Sequence, residues 1–301
     1  MCIHEISSGR IPSPTSIAVI KIGGSILHDL AAYEEAAGYI RNRVARVPHE
    51  RWLIVVSARH GETDRLERLA RRMHIRPEGD VLDLLWSTGE LRSVALLSLC
   101  LTNLGVKSRA LNVHQSGLIR RCADGHAVGV DRHRIENAWI GSRIAVVPGF
   151  FARTEDEGTV NLGRGGSDRT AVLLAAALGA ARCEVIKDVA GYHDRDPNRY
   201  RDARPIARLS YAQALEFADN GCRVLQREAI VAAAEAGVAI VVRGLRDSST
   251  ETWIHDGVPW EASEPWASLI ETVPPVPHPR RQTTTPPRAT ALDEAAVQIL
   301  G

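Results

Sequence analysis

Short, continuously apolar segments alternate along this chain with longer segments of helical periodicity. An apolar run of about four to eight residues between polar loops is typical of a strand buried on both faces. Such strands, separated by helices, indicate a mainly parallel sheet covered on both sides, with right-handed crossovers. We therefore predict an α/β fold. The predicted strands are Ser16–Ile22, Arg51–Ala58, Ser108–Val113, Ser142–Phe150, Cys183–Val189 and Val238–Gly244. The predicted helices include Leu30–Val47, Asp64–Met73 and Val81–Gly105, the last with a possible break near Ser87–Gly89.

Composition restricts the partners and the compartment. The 301 residues include 37 basic and 36 acidic side chains, for a net charge of +1. This balance gives no electrostatic basis for binding nucleic acid or an anionic membrane. The five cysteines form no C-x-x-C pair and the eleven histidines show no metal-ligand spacing, so we predict a reducing compartment and no metal site. The N-terminus has no signal-peptide pattern, and no apolar run reaches the about 18–20 residues of a membrane span. We expect a soluble, cytoplasmic protein.

Glycine-rich and polar motifs follow the first two predicted strands. In parallel sheets, ligands bind at the carboxyl ends of the strands. In KIGGS (Lys21–Ser25), glycine N–H groups can approach an anion and the lysine supplies a positive charge, although an ordinary tight turn would use the same residues. In VVSARHGETDRL (Val55–Leu66), Ser57 ends the second strand, and Thr63 or Asp64 could cap the next helix.

Two acidic residues in later motifs require partners. Glu90, in STGE, lies within an apolar helical run, where a carboxylate needs a positive partner. Two candidates remain open for that partner, a substrate ammonium group and the side chain of Arg92. In KDVAGYHDRDPN (Lys187–Asn198), Asp188 lies at a strand end and could accept hydrogen bonds from ribose hydroxyls, and the following DRDP is typical of a turn.

The most specific motif is LGRGGSD (Leu162–Asp168), which directly precedes an apolar helical run. The N-terminus of that helix offers free N–H donors and the positive end of the helix dipole. Arg164 adds a guanidinium group suited to a carboxylate or a phosphate. Ser167 or Asp168 could cap the helix, and a capped helix after a glycine-rich turn would need no ligand. If the loop does bind an anion, the Asp168 carboxylate beside it would serve to bind an ammonium group or to orient a lysine.

Taken in order, these five motifs resemble those of the aspartokinase branch of the amino acid kinase family, and Tyr211–Ile230 resembles the segment that closes that family's nucleotide pocket. The resemblance runs from about Ser16 to about Ile254. It implies a three-layer α/β/α sandwich with a mainly parallel central sheet. The implied organisation is an N-terminal arm (1–15), a catalytic domain with an acid-substrate lobe before a nucleotide lobe (16–260), and a proline-rich tail with a possible terminal helix (261–301).

The resemblance also implies an activity. The family's kinases of this branch use ATP and Mg²⁺ to phosphorylate the side-chain carboxylate of L-aspartate to β-aspartyl phosphate, and a homodimer is expected. The implied catalytic residues are Lys21, which would stabilise charge on the transferring phosphoryl group, and Asp168. Glu90 would hold the substrate amine and Arg164 the carboxylate that does not react. The implied substrate residues are Ser57, Ala58, Thr63, Glu90, Phe150, Arg164, Gly165 and Ser167. The implied nucleotide residues are Lys21, Gly23, Gly24, Ser25, Lys187, Asp188, His193, Asn198 and Arg223.

The chain departs from the family pattern mainly on the nucleotide side. The family's Thr-Asp-Val-Asp-Gly is Lys-Asp-Val-Ala-Gly here (Lys187–Gly191), and its Lys-Val-Leu-His is Arg-Val-Leu-Gln (Arg223–Gln226). His193 replaces a tyrosine and Asn198 an arginine. Fewer than sixty residues follow Gly244, so we expect no ACT regulatory domain. Two alternatives remain open: a kinase of the same fold that acts on another amino acid or small acid, and a non-catalytic homologue that binds a ligand or a partner.

Overall fold

The computed structural model describes residues 16–121, 128–163, 165–197, 199–246 and 250–256. The predicted N-terminal arm and proline-rich tail lie outside the described residues, as do Arg164 and Asn198. The described strands are β1 (Ile17–Ile22), β2 (Arg51–Val56), β3 (Arg109–Ala110), β4 (Leu118–Arg120), β5 (Val128–Val130), β6 (Ile144–Pro148), β7 (Phe151–Thr154), β8 (Thr159–Asn161), β9 (Arg182–Lys187), β10 (Tyr192–His193), β11 (Pro205–Ile206), β12 (Arg208–Leu209), β13 (Ile240–Gly244) and β14 (Glu251–Ile254). The described helices are α1 (Leu30–Arg46), α2 (Glu62–Met73), α3 (Gly79–Asn103), α4 (Arg132–Ala138), α5 (Gly166–Leu178), α6 (Tyr211–Asp219) and α7 (Arg227–Ala236), with a 3₁₀ turn at His114–Ser116.

An eight-stranded sheet forms the centre of the fold, in the order β12-β14-β13-β9-β1-β2-β6-β3. Every neighbouring pair is parallel except β13 and β14, which are antiparallel. The central strands β1 and β2 are largely apolar because both of their faces are covered, as the sequence predicted. The exceptions are Lys21 in β1 and Arg51 at the start of β2. A smaller sheet has the order β5-β4-β7-β8, and β10 pairs with β11.

Helices cover both faces of the large sheet. On one face, Ile20 and Ile54 pack with side chains of α1 and α3. On the other, Val19 and Leu53 pack with side chains of α4, α5, α6 and α7. The alternation of side chains along each strand sends neighbouring residues to opposite cores. The three-layer α/β/α sandwich implied by the family resemblance is therefore confirmed.

Two predicted strands are each four residues shorter than expected. The segment predicted as Ser108–Val113 is a strand only over Arg109–Ala110, because β3 is an edge strand that pairs with β6 alone. The segment predicted as Ser142–Phe150 ends at Pro148, after which Phe150 adopts a φ of 70° and turns the chain.

The possible break in α3 is also wrong, because the helix is continuous. The hydroxyls of Ser87 and Thr88 donate to the carbonyls of Leu84 and Leu85, at 2.7 Å in each case, and so remain within the helix. A side chain at Gly89 would lie 3.3 Å from the Cβ of Ala58, so the glycine permits close packing rather than a bend.

Helix α3 has the length and apolar composition of a membrane-crossing helix, which the sequence was not expected to contain. Its buried residues Val94, Leu97 and Leu101 belong to the core between α1 and the sheet. This packing accounts for part of the apolar composition of the helix, while Leu84 and Leu99 are exposed.

Candidate active site

The carboxyl ends of four strands bring the sequence motifs together. Lys21 is the penultimate residue of β1 and Lys187 the last of β9, while Ser57 follows β2 and Phe150 lies two residues beyond β6. Because β9, β1, β2 and β6 are adjacent and parallel, these ends lie at one edge of the sheet. This is where a parallel sheet is expected to bind its ligand.

A buried carboxylate joins two lysines at this edge. The Nζ of Lys21 lies 2.5 Å from Oδ1 of Asp168, and the Nζ of Lys187 lies 3.3 Å from Oδ2. Lys21 and Asp168 are only 5% and 3% exposed. Burial alone would raise the pKa of Asp168, but the charges of Lys21 and Lys187 outweigh it and hold that pKa below its ordinary value. Asp168 is therefore ionised and orients both ammonium groups, one of the two roles that the sequence left open.

Asp168 and Ser167 do not cap α5, contrary to the sequence prediction. The helix begins at Gly166, its N-cap is Gly165 with a φ of 70°, and Asp168 is the third residue of the first turn. Gly165 is required here, since a Cβ atom would lie 2.4 Å from the side chain of Gln226. Starting the helix on glycine leaves its N-terminus without a side-chain cap and turns the Asp168 carboxylate towards the lysines.

The loop after β1 is built for close backbone approach. A Cβ atom on Gly24 would lie 2.6 Å from the carbonyl oxygen of Ala58, so only glycine fits at this position. A Cβ atom on Gly23 would lie 3.2 Å from the Nζ of Lys21. The loop thus places glycine backbone beside a lysine ammonium group, an arrangement suited to phosphate.

Glu90 is a buried carboxylate, and one of its two oxygens lacks a hydrogen-bond partner in the described part of the chain. It is 4% exposed, and its Oε2 atom has no hydrogen-bond partner among the described residues. Burial raises the pKa of Glu90 to about 8, although a backbone hydrogen bond from Ala58 and the charge of Lys21 oppose this shift. Arg92, one of the two partners proposed from the sequence, instead lies 3.6 Å from Glu62. The structure therefore leaves Glu90 available to a cation from outside the chain.

The turn after β6 is fixed against the start of α5. The backbone N–H of Phe150 donates to Oγ1 of Thr170 at 3.2 Å. A Cβ atom on Gly166 would lie 2.5 Å from the Phe150 ring, and one on Gly149 would lie 2.7 Å from the side chain of Ser167. Two glycines thus allow the Phe150 turn and the Ser167 turn to pack directly on each other. The predicted substrate residues Phe150, Gly165 and Ser167 lie together in this packed unit.

Asp83 and Asn161 form a clamp that sequence reasoning missed. The buried Asp83 carboxylate accepts from the Asn161 backbone N–H at 3.0 Å and from its side-chain amide at 2.7 Å. The side-chain oxygen of Asn161 in turn accepts from the Gly163 N–H at 3.0 Å. Asp83 precedes Glu90 by two helical turns, so both point from the same face of α3. That spacing was the available signal, and the clamp ties α3 to the glycine-rich loop.

The remaining predicted site residues are less closely connected. Thr63 does not cap α2, nor does Asp64, because the helix begins at Glu62 with Gly61 as its N-cap. Ser57 follows β2, and its N–H donates to the carbonyl of Ile22 at 3.1 Å. The described contacts do not join the other nucleotide-side residues to the Lys21–Asp168 pair. These are Ser25 and Asp188, both exposed, His193 in β10, and Arg223 between α6 and α7.

Comparison with known proteins shows which family the chain belongs to. Residues 16–244 match the amino acid kinase family. An aspartokinase of Thermus thermophilus is 39% identical over 230 residues, which cover 76% of this chain and 56% of that protein. The crystal structure of aspartate kinase from Synechocystis superposes with a TM-score of 0.69 at 30% identity, covering 80% of this chain and 40% of that one. E. coli aspartokinase III, in complex with aspartate and ADP, gives a TM-score of 0.67 at 23% identity, over 81% of this chain and 65% of that one.

The matched region is a smaller share of each relative than of this chain. The chain spans little more than half the length of the curated relatives it matches, 56% in the Thermus case. The family match, in contrast, takes in most of this chain and every motif from Lys21 to Asp188. The chain belongs to the amino acid kinase family.

Proposed function

We propose that this protein uses ATP to phosphorylate the side-chain carboxylate of L-aspartate, giving β-aspartyl phosphate. The observation that carries the proposal is the pairing of two buried features at one sheet edge. One is Glu90, a carboxylate with an unused oxygen, and the other is the pair Lys21 and Lys187 held by Asp168. An amino acid substrate needs an anion for its ammonium group, and a transferring phosphoryl group needs cations. The similarity to aspartokinases, one of which holds aspartate and ADP in its crystal structure, supports this choice of substrate.

The proposed reaction depends on positioning and charge. An oxygen of the substrate carboxylate attacks the γ-phosphorus of ATP, and the bond from that phosphorus to the bridging oxygen of ADP breaks. The substrate carboxylate is already ionised at neutral pH, so no general base is needed. The ammonium groups of Lys21 and Lys187 stabilise the charge on the transferring group. Asp168 keeps both lysines in place, so little reorganisation is required during the reaction.

The substrate ammonium group would bind Glu90. In the empty site, the raised pKa of Glu90 leaves its carboxyl mostly protonated at pH 7. An arriving ammonium group favours the ionised form, because opposite charges within a few ångströms lower a carboxyl pKa. The other end of the substrate, its α-carboxylate, is assigned to Arg164 on the family resemblance.

The nucleotide phosphates would lie on the Gly23–Gly24 loop beside Lys21, where a side chain on Gly24 could not be accommodated. Among the described residues no group of three His, Cys, Asp or Glu side chains could hold a metal ion. Mg²⁺ would therefore be carried mainly by the ATP phosphates, as is common for this ion, and would neutralise part of their charge. Asp188, His193, Asn198 and Arg223 remain proposed nucleotide contacts.

We further propose a soluble, cytoplasmic homodimer.

The direct test is acyl phosphate formation, trapped as the hydroxamate, with ATP, Mg²⁺ and a panel of amino and small carboxylic acids. Signal with aspartate that disappears in the Lys21→Ala variant is the expected result. Signal with another acid alone would keep the reaction and change the substrate. Silence across the panel, together with absence of ATP binding, would instead favour a non-catalytic, ligand-binding homologue.

A further inference from the structure

A cavity of about 710 Å³ lies at the opposite edge of the sheet from Lys21. It opens between the end of α1, the end of α3 and the loop that leads into β6. Arg51, the first residue of β2, lines it, whereas Ser57 follows the other end of β2. A strand rises by about 3.3 Å per residue, so the cavity and the candidate active site are about 20 Å apart.

Cations dominate the polar lining of the cavity. Five basic side chains contribute, and no lining residue is acidic. In the described part of the chain, none of the five has a carboxylate oxygen within 4.0 Å. The basic lining residues are Arg41, His49, Arg51, Lys107 and Arg143.

The cavity differs from the ion-paired clusters of the molecule. In those clusters arginines have carboxylate partners, as Arg43 and Arg182 do with Glu184 at 2.5 and 2.7 Å, and as Arg65 does with Glu62 at 2.7 Å. The whole chain carries a net charge of only +1. Collecting unpaired cations around one concavity is unfavourable because like charges repel, and a bound anion would relieve the repulsion.

Part of the cavity is held rigidly. The Arg143 guanidinium donates to the backbone carbonyl of Pro48 at 2.6 Å. The Arg51 guanidinium lies 5.6 Å from the ring centroid of Trp139, whose Nε1 donates to the carbonyl of Trp52 at 3.1 Å. Arg143 thus has a structural role at the end of α1. Among the described residues, the Arg41 guanidinium donates only to Asn42, at 3.4 Å, and the Lys107 ammonium group forms no hydrogen bond or ion pair.

We propose that this cavity binds a small, multiply phosphorylated anion at a site separate from the active site. Four of the five basic lining residues are lysine or arginine, so a ligand with several negative charges matches them best. Guanidinium groups fit phosphate oxygens in a two-point geometry. The volume lies within the range of about 300–1,000 Å³ that is usual for small-molecule sites. A concavity of this size in a chain of balanced charge suits a small anion better than an extended nucleic acid.

The test is calorimetric titration with inorganic tripolyphosphate in a Lys21→Ala background, which removes a cation from the candidate active site. The cavity variant is Arg41→Gln with Lys107→Gln. The matched control is Arg68→Gln with Arg72→Gln, which removes the same charge from exposed positions on α2. We expect one saturable site that the cavity variant weakens at least about tenfold and the surface control less than about twofold, because removing charged partners from a phosphate site weakens binding strongly.

Three results would overturn the proposal. The first is the absence of saturable binding in the Lys21→Ala protein. The second is equal weakening by the cavity and control variants, which would indicate non-specific attraction. The third is an oligonucleotide that displaces tripolyphosphate from the cavity and binds more tightly. The same variants in the wild-type background provide the comparison if Lys21→Ala does not fold. Because the readout is binding, it is independent of whether the protein phosphorylates aspartate.

Discussion

Replacing Glu90 with glutamine is expected to stabilise the ligand-free protein, by an amount that grows with pH. Burial raises the pKa of Glu90 from 4.5 to about 8 in the folded protein. Below the unfolded pKa of about 4.5, the carboxyl is protonated in both states and costs the folded protein nothing. As the pH rises from there through about 8, the unfolded chain ionises more readily than the folded one, so the free energy of unfolding falls. Glutamine has nearly the same shape but does not ionise in either state, so it removes this loss.

The magnitude follows from the difference between the two pKa values. Each unit corresponds to about 1.4 kcal/mol, so the full effect of Glu90 above pH 8 approaches about 5 kcal/mol. At pH 7 the free energy of unfolding should be about 3 kcal/mol higher for Glu90→Gln than for the wild type, and at pH 5 only about 1 kcal/mol higher.

The assay is urea unfolding of the ligand-free wild type and Glu90→Gln at pH 5, 6, 7 and 8. The matched control is Glu235→Gln, which removes an exposed carboxyl from α7. The difference between Glu90→Gln and wild type should rise with pH, while that of the control should stay flat. A pH-independent difference for Glu90, or a variant less stable than wild type at pH 8, would refute the assignment of a buried, unpaired carboxyl.

Further predictions concern binding and turnover. Aspartate binding to the wild type at pH 7 should release close to one proton as Glu90 ionises, measurable by calorimetry in buffers of different ionisation enthalpy, and no release would place the ammonium group elsewhere. Lys21→Ala should lower kcat by roughly two to three orders of magnitude with an unchanged circular dichroism spectrum, whereas near-normal turnover would remove Lys21 from the mechanism. Asp83→Ala frees Asn161 and should raise the KM for aspartate about tenfold with the KM for ATP within about twofold, since the clamp lies on the substrate side; an equal rise in both would indicate general loosening. Arg164→Ala should likewise raise the KM for aspartate more than that for ATP, and the reverse pattern would assign Arg164 to the phosphates.

Sequence patterns predicted the main elements of the fold well and their ends less well. The buried strands β1, β2 and β9 were found within one or two residues, because each contains buried apolar residues, as expected of a strand covered on both faces. The strand at Ser108–Val113 was overestimated, because its length depends on a single edge neighbour that sequence does not reveal. The predicted caps at Thr63 and Ser167 were wrong because the N-cap of each helix is a glycine in the left-handed region, and at Gly165 packing against Gln226 also excludes a Cβ atom.

The sequence by itself determined the alternation of strands and helices and the order of the motifs, and so placed them at one edge of a parallel sheet. Only the tertiary structure decided which side chains meet there. The sheet places β9 beside β1, although much of the chain separates them, and this brings Lys187 and Lys21 to the same Asp168 carboxylate. The fold also places Arg92 beside Glu62 and leaves Oε2 of Glu90 without a hydrogen-bond partner among the described residues. Strand order is set by how the whole chain buries both faces of the sheet, whereas local patterns report only which residues are buried.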